Sequence, residues 1–300
     1  MKPSIVVVGS SNTDMVIKGT KLPAPGETVL GGTFFMAAGG KGANQAVAAQ
    51  RLGGAVTFVA RLGTDIFGQQ ALHSFQQEGI DTTCISTDEK HPSGVALILI
   101  GEGAENCIAV ASGANAALVP DDLKKAETKI AAAAIVLMQL ETPVETVLYV
   151  AALAARHGKK LILNPAPAAP LPDALFKSIA IITPNEGEAE ALTHIKITTD
   201  ETLAHAANAL HQKGVGIVVI TRGANGAFIS DGISQEQVPA PKVEAADTTA
   251  AGDVFNGALA VALAEGMPLK EAVMFSCKAA AISVTRLGAQ PSAPYRHEVH

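Results

Sequence analysis

The chain has 300 residues, 48% of them hydrophobic and 17% charged, with a formal net charge of -6; it can bury a substantial core, which excludes a disordered chain. No long basic stretch is available to neutralise a polynucleotide backbone, which argues against nucleic acid as a partner, but a small phosphorylated ligand stays open because a helix N-terminus holds phosphate without net positive charge. Cys84, Cys107 and Cys277 are odd in number and widely spaced, and the eight histidines are scattered, so neither a disulfide framework nor a zinc site is expected and a reducing cytoplasm fits.

Taken along the chain, Ile5-Val6-Val7-Val8 is too short for a signal peptide and runs into the turn chemistry of Gly9-Ser10-Ser11-Asn12, which predicts a buried strand over 5–9. Residues 13–36 show no helical period. From about Lys41, helices at 42–52 and 67–78 flank a strand at 56–60. The alternation breaks again over 93–110, where Val95 to Ile100 reads as a strand with no helix beside it. It then resumes with a helix at 121–133, a strand at 135–139, a helix at 143–157 and a strand at 160–164. The loop Asn164-Pro165-Ala166-Pro167-Ala168-Ala169-Pro170 is rigid and not a domain linker. A strand at 179–183, helices at 186–193 and 200–213, a strand at 216–221 and helices at 252–265 and 268–285 complete the series. The longest apolar run, Ile130 to Leu140, lies between Lys129 and Glu141 and is too short to cross a bilayer.

β-branched strands alternating with Ala-rich helices predict an α/β fold with a mostly parallel central sheet covered by helices on both faces. The two stretches that break the pattern are each too short for a stable sheet and are expected to pair as a discontinuous β lid, 13–36 with 93–110, over a core of 1–12, 37–92 and 111–300. Such a lid leaves a sheet edge and face open, which favours a homodimer.

Asp247-Thr248-Thr249-Ala250-Ala251-Gly252-Asp253 leads into the helical run Val254 to Glu265. Small residues admit a ligand to the backbone, and the free N–H groups at the helix start make an anion pocket. Asp253 beside it is either an acid favoured by the macrodipole or a reactive base. Gly39-Gly40-Lys41-Gly42-Ala43-Asn44 also opens a helix but is neither a Walker A loop nor a dinucleotide fingerprint; it reads as a tight turn unless Asn44 binds a ligand hydroxyl. In Thr183-Pro184-Asn185-Glu186-Gly187-Glu188, a capping box of Thr183 with Glu186 and Pro184 at the first helical position accounts for Glu186. Asn185 and Glu188 remain at a strand end, where their oxygens suit hydrated Mg²⁺ or simply solvent. Thr221-Arg222-Gly223-Ala224-Asn225-Gly226 suits a glycine turn or a nucleotide tail, and Asp14 a turn-stabilising or a hydroxyl-chelating role.

These segments, with Pro25-Gly26-Glu27-Thr28, Met138-Gln139-Leu140-Glu141 and Gly288-Ala289-Gln290-Pro291-Ser292, occur in an order that resembles the ribokinase-like carbohydrate kinases related to the minor phosphofructokinase. The resemblance runs through nearly the whole chain. It implies ATP-dependent phosphorylation of the 5-hydroxyl of D-ribose, with 2-deoxyribose or another sugar or nucleoside as the alternative acceptor and a non-catalytic sensor as a further one. It implies a sugar pocket of Asn12, Thr13, Asp14, Gly40, Lys41, Gly42, Ala43, Asn44 and Glu141, with Asp253 as base and the amides of Ala250, Ala251 and Gly252 receiving the γ-phosphoryl charge. ATP would meet Asn185, Thr221 to Gly226, Gly252 and Cys277, the last standing where a histidine or asparagine is usual. Glu188 would order Mg²⁺ through water, and Asp247, Thr249, Ser283, Arg286, Gly288 and Ser292 would surround an activating K⁺. The chain stops soon after Tyr295-Arg296, short of the helix that ends such proteins, so a different packing is expected at that edge.

Overall fold

The computed structural model describes residues 2–103 and 105–300. Its elements run β1 (Ser4–Val8), β2 (Asn12–Lys18), β3 (Thr33–Gly39), α1 (Lys41–Arg51), β4 (Ala55–Val59), β5 (Arg61–Gly63), α2 (Ile66–Gln77), β6 (Ser86–Asp88), β7 (Gly94–Ile100) and β8 (Asn106–Ala111). There follow α3 (Glu127–Ala132), β9 (Ile135–Met138), α4 (Val144–Arg156), β10 (Lys160–Leu163), α5 (Asp173–Phe176), β11 (Ile181–Ile182), α6 (Glu186–Thr193) and α7 (Asp200–Gln212). The chain closes with β12 (Ile217–Thr221), β13 (Ala227–Ser230), β14 (Gln235–Val238), α8 (Ala251–Ala264) and α9 (Leu269–Ser283).

The main sheet has the order β14-β13-β12-β11-β10-β9-β1-β4. It is parallel from β4 through β12 and antiparallel at the β13–β14 edge. Because successive side chains on a strand point to opposite faces, the unbroken apolar run of β1 serves two cores. Ile5 and Val7 pack with α1, α8 and α9, whereas Val6 and Val8 pack with α4 and α7. This is the α/β architecture that the alternation of strands and helices implies. Among the described residues, no helix is long and apolar enough to cross a membrane.

Two local expectations are corrected. The helix at 121–133 is a 3₁₀ turn over Pro120–Ala126 followed by a short α3. Asp122 there accepts from the Val119 N–H at 3.1 Å and from Arg61 at 2.8 Å, tertiary ties that favour the tighter winding. The edge strand β14 is additional; Gln235 to Gln237 are exposed and carry no apolar alternation to announce a strand.

The second sheet has the order β3-β2-β7-β8. Asn12 pairs with Gly39 on one side and Gly94 on the other, so this sheet is rooted at Asn12, just beyond the carboxyl end of β1. Phe34, Phe35, Met36, Leu97, Ile108 and Val110 on it are about half exposed.

Candidate active site

The carboxyl ends of β1, β9, β10, β11 and β12 and the N-termini of α1 and α8 converge, the usual location of a ligand crevice in an open parallel sheet. Asp253, in the first turn of α8, is only 6% exposed. Its Oδ2 accepts from Asn44 Nδ2 at 2.9 Å and its Oδ1 from Gln45 Nε2 at 3.0 Å, both from α1. Burial pushes its carboxyl up, against the opposing pull of Lys41, Asn44 and Gln45. The buried aspartate is thus a stronger base than an exposed one and is held by three groups that favour its anion.

Asp14, on β2, is raised to about 6 by burial first and then by Glu141 and Asp253, with Lys41 opposing. Glu141 accepts from the Ser10 hydroxyl at 2.5 Å and from the Lys41 N–H at 3.1 Å, which ties the loop after β9 to the start of α1. Asn44 Oδ1 is buried without a partner among the described residues, an acceptor left for something else. Asn12 Oδ1 accepts from Asn115 Nδ2 at 2.8 Å, and Asn115 also pairs with the Ser11 main chain in both directions. Gly40 has φ of +88°, and a Cβ there would lie 2.6 Å from the Asn12 nitrogen; only glycine lets α1 begin against the β1–β2 loop. A cavity of about 360 Å³ reaches Asn12 and Glu141 and extends beneath Val110 and Pro143.

Three residues expected at the sugar do not face this cluster. Thr13 alternates with Asn12 and Asp14 along β2, so its side chain takes the opposite face and lines a separate cavity against Phe67 and Ser74 of α2. Ala43 is fully buried in the core beneath α1, and its N–H donates to the Ser10 carbonyl at 2.8 Å. Gly42 likewise packs its Cα against the main chain of Gly9 and Ser10.

On the other side of Asp253 lies a cavity of about 490 Å³ bordered by Asn185, Thr221, Thr248, Gly252, Phe255 and Cys277, with Ala280 and Ala281 of α9 and Val284 just after it as its far wall. Ala250 caps α8 with φ of +59°, and the N–H groups of Gly252 and Asp253 open the helix with no protein acceptor among the described residues. A Cβ at Gly252 would meet nothing within 4 Å, so bare backbone faces the hollow, which suits an anion. Burial pushes the Cys277 thiol up to about 11, and it stays protonated.

Gly223, Ala224 and Gly226 border the cavity, but Arg222 does not: its guanidinium reaches Glu186 at 3.0 Å, Asp200 at 3.1 Å and Gln237 at 3.0 Å. Asn225 also lies off the lining, its carbonyl accepting from Gln237 at 2.9 Å. The capping box forms two residues later than expected, between Asn185 and Glu188, with bonds of 2.8 and 2.9 Å. The reason is that Thr183 is buried and donates to Asn256 at 2.6 Å instead of capping. Burial and then Asp253 raise the Glu188 carboxyl, against the Asn185 N–H and Lys41.

Asp247 accepts from the N–H groups of Thr249 and Gly288, both at 2.9 Å; burial opposes, but these bonds and the Thr249 hydroxyl hold it below its ordinary value. The side chains of Ser283 and Ser292 donate to the carbonyls of Ala280 and Ala289, each at 2.8 Å, and Arg286 pairs with Glu298. No group of three or more His, Cys, Asp or Glu suited to a metal occurs among the described residues.

Among the buried polar side chains, Gln45, Gln139, Asn164 and Asn256 carry no role in the sequence-based expectations, and Thr183 is expected there only as a helix cap. Their signal is a lone amide or hydroxyl in an apolar setting, such as Gln139 closing Ile135 to Met138 and Asn256 within Val254 to Val261. Asn115 gives no such signal, since it sits in an ordinary small-residue loop.

Residues 2–296 match the family described as pfkB family carbohydrate kinase. The chain is 46% identical to the ribokinase of Haemophilus influenzae over 298 residues, 99% of this chain and 97% of that protein. It is 34% identical to a deoxyribokinase of Salmonella typhi over 291 residues, 97% of this chain and 95% of that one. The structure of Arabidopsis thaliana ribokinase complexed with ribose and ATP superposes with a TM-score of 0.93 at 34% identity, covering 100% of this chain and 98% of that one. With the converging strand ends, the helix-start anion pocket and a full-length match, the chain belongs to the pfkB family of carbohydrate kinases.

Proposed function

We propose that the chain transfers the γ-phosphoryl group of ATP to the 5-hydroxyl of D-ribose. One observation carries the reading: the Asp253 carboxylate and unpartnered main-chain donors share one helix start, between a carboxylate-rich hollow and a larger apolar one. The similar proteins named above include a ribokinase and a ribokinase complexed with ribose and ATP. Asp14, Asn44 and Glu141, with Lys41 and Asn12, supply the hydrogen-bonding groups for a polyol, and Gly252, Asn185, Thr221 and the turn from Gly223 to Gly226 line the ATP side.

Phosphoryl transfer passes through a loose transition state, so positioning and charge stabilisation dominate. Asp253 accepts the hydroxyl proton late in the step, and the N–H groups at the start of α8 receive the charge on the transferred group. Glu188, half-buried and repelled by Asp253, would hold Mg²⁺ through water, and the ion would supply positive charge to the nucleotide phosphates. K⁺ would be held by the loop around Asp247, whose carboxylate is fixed by the N–H groups of Thr249 and Gly288.

We propose further that residues 13–36 and 93–110 act as a lid that excludes water, and that its exposed apolar face pairs with a second copy of the chain. The three free cysteines fit the cytoplasm. Assay of pentoses, deoxypentoses, hexoses and nucleosides with ATP tests the substrate: the highest kcat/KM is expected for ribose. A higher value for 2-deoxyribose moves the chain to that acceptor, and no sugar-dependent ATP turnover leaves a sensor. Sedimentation that shows only monomer at high concentration would remove the dimer.

A further inference from the structure

Beneath the site lies a closed polar ring of largely buried side chains. Gln45 is 0% exposed, so it is no ligand for a sugar or nucleotide, yet every hydrogen-bonding group of its amide is used. Nε2 donates to Asp253 Oδ1 and to Asn164 Oδ1, both at 3.0 Å, and Oε1 accepts from Gln139 Nε2 at 2.6 Å. Asn164 Nδ2 donates in turn to the Thr183 carbonyl at 3.0 Å. The Thr183 hydroxyl donates to Asn256 Oδ1 at 2.6 Å, and Asn256 Nδ2 to the Gly252 carbonyl at 2.8 Å, which returns the ring to the first turn of α8.

The direction of these bonds is dictated from one end. A main-chain carbonyl can only accept, so the Thr183 carbonyl requires the nitrogen of the Asn164 amide. Asn164 therefore turns its oxygen toward Gln45, which must answer with its own nitrogen. That nitrogen is then the atom facing Asp253. With either amide reversed, two oxygens would meet in a buried space, at the full cost of unsatisfied polar groups.

Resting on the reading of Asp253 as the base, we infer that Gln45 is a positioning residue that fixes the orientation and charge state of the Asp253 carboxylate, its own polarity being imposed through Asn164 by the Thr183 carbonyl. One carboxylate oxygen is anchored from below by Gln45, so the Asp253 side chain cannot rotate away from an incoming hydroxyl. The other charged groups acting on it, Lys41 on α1 and Glu141 after β9, with Asp14 on β2 and Glu188 on α6 coupled to it, stay in place when Gln45 is replaced.

The test is the pH dependence of kcat in three variants, normalised to folded protein. Gln45→Met keeps the volume and removes the donor; kcat is expected to fall about 10- to 100-fold as the base loses its orientation, while the KM values for ribose and ATP stay within about threefold. The acid limb of its profile moves up by roughly one pH unit because a donor to the anion is gone. Gln45→Glu sets a carboxyl against Asp253 and moves that limb further up. Asn164→Leu, which releases the Gln45 amide to turn, lowers kcat in the same direction by less, and it carries the test if Gln45→Met does not fold. A parent-like kcat and acid limb in either Gln45→Met or Asn164→Leu overturns the inference. Parent-like turnover in Asp253→Asn would instead overturn the base assignment on which it rests.

Discussion

The two sides of Asp253 are made of different materials. On the side proposed for the sugar, Asp14, Lys41, Asn44, Glu141 and Asp253 crowd together, so that burial and repulsion by Glu141 and Asp253 raise Asp14 to about 6. On the nucleotide side, Phe255, Cys277, Ala280, Ala281 and Val284 wall the cavity, and its polar partners are concentrated at the helix start and the strand ends. A polyol offers only hydroxyls, which must be told apart by placed donors and acceptors, and a site with buried polar groups rejects wrong partners strongly. An apolar slot selects by shape and area, with gentler discrimination. The acceptor side is therefore expected to be sensitive to single atoms and the donor side to volume.

The largest effect is expected at the junction. Asp253→Asn should leave the fold intact and lower kcat by roughly 10²–10⁴-fold without a matching loss of sugar binding, read by steady-state kinetics and ribose titration. Next comes Asp14→Asn, expected to raise the ribose KM about 10- to 100-fold, the size of a lost charge-assisted hydrogen bond.

The same substitution should also show the cost of the crowded carboxylates. The folded value of Asp14, about 6, lies above its reference of 3.8. Between these values the native state holds more protons than the unfolded chain, so its contribution to stability is full below about 4 and is lost as the pH rises through about 6. Asp14→Asn should therefore raise the Tm of the sugar-free protein at pH 7.5 and have little effect at pH 4, measured by thermal unfolding. In the parent protein, ribose affinity should weaken as the pH falls below about 6, because the protonated carboxyl accepts fewer hydroxyl hydrogens.

On the donor side, Ala281→Leu fills the apolar wall and should raise the ATP KM about tenfold through overpacking, with the ribose KM unchanged. A rise in ribose KM instead would mean that the two hollows are not separate. The smallest effect is expected for Arg222→Ala. Its guanidinium is turned to Glu186, Asp200 and Gln237, so kcat and the ATP KM should stay within about threefold of the parent, and only a modest loss of Tm is expected from exposed pairs. A larger rise in KM would put Arg222 back at the nucleotide.

Much of this organisation is legible in local pattern. The apolar runs at β1, β9 and β10 and the Ala-rich helices state an α/β layering, because burial on both faces requires continuous apolar strands. The small-residue stretch from Thr248 to Gly252 marks a helix start open to an anion. The edge strand β14 was not legible, since Gln235 to Gln237 are exposed and follow no alternation. Thr13 shows the limit within a motif: its neighbours Asn12 and Asp14 share a face, but only the strand conformation of β2 reveals that the residue between them takes the other. Thr183 and Asn185 show it at a cap, where either could start α6 until burial beside Asn256 removed Thr183 from the choice.

The sequence alone determined the layers, the alternation of the core strands with their helices and the place of the helix start that carries Asp253, because each depends on periods and turn residues within a few positions of one another. Only the tertiary structure decided which polar side chains answer Asp253. Asn44 and Gln45 lie 209 and 208 residues away from it, and Asn164 and Thr183 reach it through other strand ends. A hydrogen bond depends on distance and direction in space, and no local period carries that information.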